Sequence, residues 1–148
     1  MDDERLVQQA AELADVDEAV RGALDRYATR LFSDDGIDLS GGQWQQVAMA
    51  RGLIGGKPIV VLDEPTSMMD PLREQRTFMR LLERLSGQTV IFVSHRMGFA
   101  RFVDQVVVLD QGRIIQQGRH EELLRQPGRY RELYEAQAQW YREEEKDA

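Results

Sequence analysis

Polar residues follow two apolar runs of this sequence, at the points where predicted strands end. Asp63 and Glu64 close the first run, which begins at Ile59. Ser94 and His95 follow the next one. In α/β folds the ligand lies at the carboxyl ends of parallel strands. One carboxylate there can hold magnesium beside substrate phosphates, and a second can polarise a water for attack on a phosphoryl group. These residue types would suit phosphoryl chemistry, but taken alone Asp-Glu-Pro at 63–65 is better explained as an ordinary turn after a strand.

A glycine-rich segment supplies a second candidate site, for an anion. Ser40 is followed by two glycines, which allow a phosphate to approach the backbone closely. Gln43 stands three residues after Ser40, a capping-box spacing that predicts a helix start. The free N–H groups and the positive dipole end of that helix would attract an anion. The same residues would form this turn and cap without a phosphate, so both interpretations stay open.

The elements that must position these residues are a strand, a helix and a strand. Residues 59–63 and 89–93 are apolar and rich in β-branched side chains, which predicts strands buried on both faces of a parallel sheet. Asp70 followed by proline predicts the start of the helix between them. Its apolar stripe, which ends before Gly87, comprises Leu72, Phe78, Leu81, Leu82 and Leu85. This order predicts a βαβ unit.

The first third of the chain is predicted to be helical. Residues 4–14 carry apolar side chains at helical spacing, and Asp15 with Glu18 forms a capping-box pattern for a second helix. The side chains of that second helix expected to face inward are Val20, Ala23, Leu24 and Tyr27. A third helix is predicted over 42–53, where the glycines at 55 and 56 stop it through a left-handed cap.

The last third is predicted to combine a hairpin with two helices. Residues 106–109 and 114–117 form the hairpin, at one end of the sheet, and 120–125 form a short helix. A C-terminal helix follows the Pro-Gly pair at 127–128, and residues 143–146 form its frayed end. The side chains expected on one side of this helix are Tyr130, Leu133, Tyr134, Ala138 and Tyr141.

Length and composition limit the classes of protein to which this chain can belong. The 148 residues are 42% hydrophobic and 30% charged with no cysteine, which allows one compact domain and excludes a disordered tail, a disulfide scaffold and a thiolate metal site. No apolar run approaches the roughly 18 residues of a membrane span, and no signal peptide is recognisable. A cytoplasmic setting is therefore expected. The net charge of −7 arises within residues 1–40, and no basic patch marks a nucleic-acid groove.

Four segments together resemble, in order and spacing, the motifs of ATP-binding cassette (ABC) ATPases. They are the signature motif Leu-Ser-Gly-Gly-Gln at 39–43, the Walker B strand at 59–67, the D-loop at 67–70 and the switch-histidine segment at 93–96. Further matches are found at 44–51, 110–118 and 120–124, so the resemblance covers essentially the whole chain. Ser-His-Arg at 94–96 and the tyrosine-rich C-terminal segment are similar to the exporter branch.

The resemblance implies ATP and Mg²⁺ as ligands and a role for each motif residue. Asp63 would coordinate the magnesium, Glu64 would be the general base, and His95 would contact the γ-phosphate or order the attacking water. The signature residues that would meet the γ-phosphate of ATP held by the opposite subunit are Ser40, Gly41, Gly42 and Gln43. Asp70 would organise that dimer interface.

A P-loop motif does not occur in these 148 residues. The nearest candidate, Gly-Gly-Lys at 55–57, has Arg51 in place of the first glycine and Pro58 in place of the hydroxyl residue, and it leads into a strand. In the family the P-loop lies upstream of the signature motif. The resemblance therefore implies the C-terminal portion of a cassette.

The predicted fold class follows from this assignment. It is an α/β fold, a partial P-loop NTPase (RecA-like) parallel sheet flanked by helices, with an N-terminal helical subdomain and a C-terminal helix. The predicted divisions are a helical subdomain with the signature motif and its helix at 1–53, the later half of the catalytic core at 54–126, and the C-terminal helix and tail at 127–148.

The function that the resemblance implies is ATP binding and hydrolysis coupled to export across a membrane. The partners would be a second nucleotide-binding domain and the transmembrane domain of an exporter, with the chain at the cytoplasmic face of the membrane. Without a P-loop, the isolated chain is predicted to be inactive. One alternative is a non-catalytic subunit that lends its signature motif in trans to a complete cassette. Others are a truncated remnant and a soluble ABC ATPase acting on nucleic acid or ribosomes, which the absence of a basic patch disfavours.

Overall fold

The computed structural model describes residues 2–31 and 33–144, which fall into two compact units that divide after Val93. The length alone favoured one domain, but the buried apolar side chains gather into two clusters. The first unit contains α1 (Asp2–Leu13), α2 (Glu18–Arg21), α3 (Gly41–Leu53), β1 (Ile59–Asp63), α4 (Pro71–Arg84) and β2 (Thr89–Val93). The second contains a 3₁₀ helix (Met97–Phe102), β3 (Val106–Asp110), β4 (Arg113–Gly118), α5 (His120–Arg125) and α6 (Arg129–Glu144). The predicted divisions at residues 53 and 126 stay predictions.

The predicted parallel strand pair is confirmed. β1 and β2 pair in register from Ile59 opposite Thr89 to Asp63 opposite Val93. The two strands are joined through α4, as expected for a βαβ unit. Their carboxyl ends therefore lie side by side, with Asp63 at the end of β1.

The prediction that this sheet is buried on both faces is wrong. Val60 and Leu62 are buried, whereas the alternate residues Ile59 and Val61 are 59% and 61% exposed. Because side chains alternate across a strand, one whole face of β1 is open. The helices of the first unit pack on the face that carries Val60 and Leu62, and within the described residues nothing covers the opposite face.

The core of the first unit lies between α1, α3, α4 and the covered face of the sheet. Small alanines on α1 allow the helices to approach one another closely. The buried members from the helices and strands include Ala10, Ala11, Ala14, Met49, Ala50, Val60, Leu62 and Leu81. The first predicted helix is therefore confirmed as α1, and its apolar side chains pack into the core of the first unit.

The predicted second helix is much shorter than its apolar spacing indicated. α2 comprises only four residues, and Leu24 and Tyr27 are exposed rather than inward. The expected Asp15 cap is not formed, because Asp15 has a φ of 56° and Asp17 precedes the helix without a side-chain cap. Beyond the helix, the Tyr27 carbonyl accepts a hydrogen bond from the Ile37 amide, which turns the chain back.

α3 confirms the predicted third helix and its cap. The Ser40 hydroxyl accepts from the Gln43 amide, and the Gln43 side chain accepts from the Ser40 amide, so both halves of the capping box are present. At the other end, Gly55 and Gly56 have φ values of 92° and 56°, a left-handed conformation that favours glycine. The helix therefore ends at Leu53, close to the predicted position.

α4 begins at the predicted proline and buries most of its predicted stripe. Asp70 caps it by accepting from the Arg73 amide, with Pro71 in the first turn. Phe78 and Leu81 are buried, and Phe78 packs against Phe92 of β2 with ring centroids 4.9 Å apart. Leu72, also expected in the stripe, lies in the first turn and is exposed.

The predicted hairpin forms, but as a separate sheet. β3 and β4 pair antiparallel, and Gln111 and Gly112 of the turn both have positive φ, 45° and 74°. Two positive φ values in a two-residue turn match the twist of a hairpin. Within the part of the chain that the structure describes, these strands pair with each other alone, so the expected position at one end of the parallel sheet is wrong.

The core of the second unit gathers around Tyr130. Val108 of β3, Leu123 of α5 and Tyr130 of α6 are buried together. α5 confirms the predicted helix over 120–125, and α6 confirms the C-terminal helix. The side chain of Tyr141 and residues 145–146 of the predicted frayed end lie outside what the structure describes.

A search of the described helices for a membrane span was negative: each is too short or too polar to cross a bilayer.

Candidate functional site

The signature segment forms a hydrogen-bonded turn at the start of α3. The Ser40 amide lies 2.9 Å from Gln43 Oε1, and the Gln43 amide lies 3.3 Å from Ser40 Oγ. Since the Ser40 hydroxyl accepts in this pair, its proton is available to donate outward. The amides of Gly41 and Gly42 belong to the first helical turn and have no intrahelical acceptor. Three donors are thus gathered at the positive end of the α3 dipole.

Met68 covers one side of the two glycines. A Cβ atom built on Gly41 would lie 3.7 Å from Met68 Sδ, and one built on Gly42 would lie 3.8 Å from Met68 Cβ. Met68 belongs to the segment between β1 and α4, where the resemblance implied the D-loop. The structure therefore places the signature segment and the D-loop segment in contact.

Gln45 joins the signature helix to the segment that follows β1. Its Nε2 donates to the Glu64 carbonyl at 2.6 Å and to Ser67 Oγ at 2.9 Å. Its Oε1 accepts from the Met68 amide at 3.2 Å. A single amide side chain thus ties both ends of residues 64–68 to α3. Gln45 is a residue that sequence reasoning missed, because its partners are about twenty residues away and no local pattern marks them.

Glu64 leaves the carboxyl end of β1 in an unusual conformation. Its φ is 44°, one of three positive values among the described non-glycine residues. Its amide donates to the Val93 carbonyl at 2.9 Å, which extends the strand pairing by one bond. Non-glycine residues with such φ values carry backbone strain and are concentrated at functional sites. The Gln45 bond to the Glu64 carbonyl holds the chain in this conformation.

Asp63 is suited to a hard cation that also binds phosphate. Its side chain is exposed at the end of β1, and no side chain among residues 4–31 and 33–138 pairs with it. Mg²⁺ is usually bound by one or two carboxylates together with substrate phosphates. The described residues contain no cluster of three or more histidine, aspartate and glutamate side chains that could hold a metal by themselves. Asp63 therefore fits magnesium that arrives with a nucleotide.

A buried hydrogen bond anchors the chain just after Glu64. Thr66 Oγ1 donates to Glu74 Oε1 at 2.7 Å, and both residues are almost fully buried. Glu74 lies in the first turn of α4, where the helix dipole favours a negative charge. Asp70 caps the same helix, its Oδ1 accepting from the Arg73 amide at 3.0 Å. The D-loop segment is therefore fixed at both ends.

An ionic cluster lies beside the signature turn. Arg73 of α4 donates to Asp15 and to Asp17, with its Nη2 lying 2.6 Å from Asp17 Oδ1. The hydrogen bond from Arg73, and next that from Gln43, lower the pKa of Asp17 below its ordinary value. The two carboxylates, Asp15 first, raise the pKa of Arg73. Arg80 also reaches Asp15, at 3.3 Å. Asp15 was predicted only as a helix cap, and no role was predicted for Asp17.

His95 lies in the second unit, at the start of the segment that leads to the 3₁₀ helix. Gln137 of α6 donates through Nε2 to the His95 carbonyl and accepts through Oε1 from the Met97 amide at 2.9 Å. The backbone on both sides of Arg96 is thus held by one side chain. Gln137 was missed, although a polar residue seven positions after Tyr130 on the inward side of α6 is a signal that could have found it.

His120 has a structural role in the second unit. Its Nδ1 lies 2.6 Å from the Tyr130 hydroxyl, and its ring lies 5.1 Å from that of Tyr134. Burial raises the pKa of Tyr130 to about 12. The prediction of His120 as a residue at a helix start is confirmed, since α5 begins there.

The first unit brings most of the predicted site residues together. The signature residues, Glu64 and Asp70 belong to segments joined by Gln45 and Met68. Asp63 is at the end of the strand that leads into this region. His95 belongs to the second unit.

Comparison with known proteins gives the same family as the motifs. The family model described as "ABC transporter" matches residues 2–67. The ATP-dependent lipid A-core flippase of Legionella pneumophila (strain Paris) is 39% identical over 128 residues, which cover 86% of this chain and 22% of that protein. The transport/processing ATP-binding protein ComA of Streptococcus pneumoniae (strain R6) is 42% identical over 127 residues, 86% of this chain and 17% of that protein.

A solved structure supports the fold assignment. The structure of a bacterial Atm1-family ABC exporter with ATP bound superimposes with a TM-score of 0.71 and 35% identity, over 90% of this chain and 23% of that one. The mixed helices and strands, with their parallel pair, are consistent with a partial P-loop NTPase fold, as predicted. The chain thus spans about a fifth of the length of the relatives it matches. We conclude that it belongs to the ABC transporter family, whose ATPases bind ATP, and corresponds to part of an exporter-type nucleotide-binding domain.

Proposed function

We propose that this chain supplies the signature half of an ATP site and takes part in ATP binding and hydrolysis coupled to export across a membrane. The observation that carries the proposal is the set of three hydrogen bonds by which the Gln45 side chain joins the signature helix to the Glu64 and D-loop segments. The signature turn, Glu64 and the D-loop segment are thereby held together in one unit. Phosphoryl transfer depends mainly on positioning and electrostatic stabilisation, and the Gln45 hydrogen bonds contribute to positioning.

The signature turn would contact the γ-phosphate of ATP bound by a second nucleotide-binding domain. The Ser40 hydroxyl and the amides of Gly41 and Gly42 offer three donors at a positive helix end. Gln43 contributes by holding Ser40, because both of its side-chain polar atoms are bonded within the unit. Asp70, at the exposed start of α4, would lie at the interface with that second domain.

Glu64 would act as the general base for hydrolysis. Its carboxylate would accept a proton from water as the water oxygen bonds to the γ-phosphorus and the bond to the bridging oxygen breaks. Mg²⁺, when bound by Asp63 and the phosphates, would neutralise charge on the phosphate oxygens. His95 would contact the γ-phosphate or order the attacking water.

The partners proposed for this chain are a second nucleotide-binding domain and an exporter's transmembrane domain. The relatives' names and the solved exporter support this assignment. We place the chain at the cytoplasmic face of the membrane, reached through that transmembrane partner, because ATP is supplied from that side. No role on nucleic acid is proposed.

A second function, as a non-catalytic subunit that lends its signature motif in trans, is favoured by one observation. The donors of the signature turn, the Ser40 hydroxyl and the amides of Gly41 and Gly42, all lie within the first unit. A complete cassette would then supply the P-loop, and this chain would supply Ser40 from across the interface.

The test is turnover in trans. The purified chain is mixed with a complete exporter cassette whose own signature serine is replaced by arginine. The chain alone should hydrolyse no ATP above background, and the mixture should regain turnover that Ser40→Arg abolishes. Ser86→Arg, at an exposed loop serine, is the matched control and should retain it. Failure to associate at micromolar concentration, or turnover by the chain alone that depends on Glu64, would contradict the proposal.

A further inference from the structure

Asp17 accepts hydrogen bonds from two different elements of the first unit. Arg73 Nη2 of α4 lies 2.6 Å from its Oδ1, and Gln43 Nε2 of α3 lies 3.1 Å from its Oδ2. Both partners are donors, so each needs an acceptor oxygen. An ionised aspartate supplies two such oxygens, whereas an asparagine would supply one and would turn an N–H group toward the other donor.

The bond to Gln43 continues to the signature serine. While Gln43 Nε2 donates to Asp17, its Oε1 accepts from the Ser40 amide at 2.9 Å. The orientation of the Gln43 amide is therefore fixed from both sides. If Asp17 were removed, the Gln43 side chain would lose the partner that selects this orientation, and the cap on Ser40 would loosen.

The bond to Arg73 leads in the other direction, to the D-loop. The Arg73 amide donates to Asp70 Oδ1 at 3.0 Å, so the same residue caps with its backbone and binds Asp17 with its side chain. The Arg73 side chain also donates to the Asp15 carboxylate and, at 2.8 Å, to the Asp15 carbonyl. A continuous series of hydrogen bonds thus extends from Asp70 through Arg73, Asp17 and Gln43 to Ser40.

We propose that Asp17 is a positioning residue that couples the D-loop helix to the signature serine. The coupling rests on the proposed function in one respect, that Ser40 and Asp70 serve an ATP site. A displacement of the start of α4 at the interface with a second domain would reach Ser40 through Arg73 and Gln43. Asp17 itself would touch neither nucleotide nor metal.

The charged groups that face Asp17 explain why its ionised form is favoured. Arg73 faces it from α4, and Asp15 lies beside it on the same connection, itself bonded to Arg73 and Arg80. Gln43 and Gln46 of α3 add hydrogen bonds that lower its pKa further. The carboxylate should therefore titrate below the ordinary value of 3.8.

The first test is a pH titration of the isotope-labelled full chain by NMR. In the wild type, the Ser40 amide and the Gln43 side-chain amide should shift together with a midpoint below 3.8. Asp17→Asn should abolish that shared transition, and Glu18→Gln, which removes the neighbouring exposed charge, should leave it in place. A role limited to general stability would not link these two signals to one carboxylate. Absence of the shared transition in the wild type would overturn the proposal.

The second test measures exchange of the Ser40 amide with water at neutral pH. Asp17→Asn should speed this exchange by about tenfold, the order of one hydrogen bond to a charged group. Glu18→Gln should not change it. Equal exchange in the wild type and Asp17→Asn would overturn the coupling. If Asp17→Asn fails to fold, the titration of the wild-type chain alone tests the coupling: the shared transition supports it, and the absence of that transition overturns it.

A third readout separates this proposal from the proposed function. In the assay in trans, Asp17→Asn should lower turnover by about tenfold, whereas Glu18→Gln should not. If the wild-type chain supports no turnover, the proposed function fails while the two NMR tests still judge the coupling. If the chain supports turnover and Asp17→Asn matches the wild type, the coupling fails alone.

Discussion

Individual side chains, rather than the motif letters alone, decide how the candidate site is held. Glu64 adopts a strained φ of 44°, and it is the amide of Gln45 that bonds its carbonyl. Strain of this kind persists only where the surroundings determine the conformation. Gln45 supplies three bonds to a segment of five residues, which makes it the principal support of the site.

Replacing Gln45 should therefore cost stability as well as activity. Gln45→Ala removes three hydrogen bonds of a half-buried side chain and should lower the free energy of unfolding by about 1–3 kcal/mol. Urea denaturation measures the change as a lower midpoint. Gln75→Ala, at an exposed glutamine of α4, is the matched control. Equal midpoints for the two variants would show that the three Gln45 hydrogen bonds do not contribute to stability.

Tyr130 gives a prediction at high pH. Burial raises its pKa from 10.0 to about 12, so the folded state retains the phenol proton where the unfolded state loses it. The resulting stabilisation is fully present below pH 10 and is lost as the pH rises through about 12. Absorbance of tyrosinate near 295 nm should show one of the four tyrosines titrating late, and Tyr130→Phe should remove that step. A late step that survives in Tyr130→Phe would contradict the assignment.

At the scale of helices and strands, the sequence predicted correctly those features that depend on local pattern. The parallel pair, the α3 capping box, the Asp70 cap and the hairpin all follow from spacing and turn chemistry. The predicted Asp15 cap of the second helix was wrong, because Asp15 bonds to Arg73, which is more than fifty residues away, instead of capping. Such a partner is invisible to a local pattern. The prediction that both faces of β1 are buried was also wrong, because an apolar sequence does not show whether another element covers each face of the strand.

The link between α6 and the His95 segment is testable at this scale. Gln137→Ala removes the acceptor of the Met97 amide and the donor to the His95 carbonyl. The Met97 amide should then exchange about tenfold faster, the order of one lost hydrogen bond. Hydrogen exchange followed by NMR measures it, with Glu135→Gln on the exposed side of α6 as the control. Unchanged exchange would show that α6 does not hold this segment.

At the scale of the whole molecule, the open sheet face predicts self-association. Ile59, Val61, Ile91 and Val93 are each about half exposed or more on neighbouring strands. Contiguous exposed apolar side chains favour association. The purified chain should sediment as oligomers at micromolar concentration, and Val61→Thr with Ile91→Thr should shift it toward monomer. Leu31→Thr, at an exposed leucine between α2 and α3, should leave the sedimentation unchanged. A wild-type chain that sediments as a monomer would contradict this expectation.

The central claim, that the signature turn meets a γ-phosphate held by another cassette, is tested most directly by photolabelling. A complete cassette carrying ATP with a photoreactive group on its γ-phosphate is mixed with this chain, illuminated and digested with trypsin. Cleavage after Arg30 and Arg51 releases the signature motif in one peptide, residues 31–51. Labelling of this peptide is expected only in the presence of the cassette. In Ser40→Arg, which adds a cleavage site after position 40, neither residues 31–40 nor residues 41–51 should carry label. Labelling confined to other peptides, or equal labelling without the cassette, would contradict it.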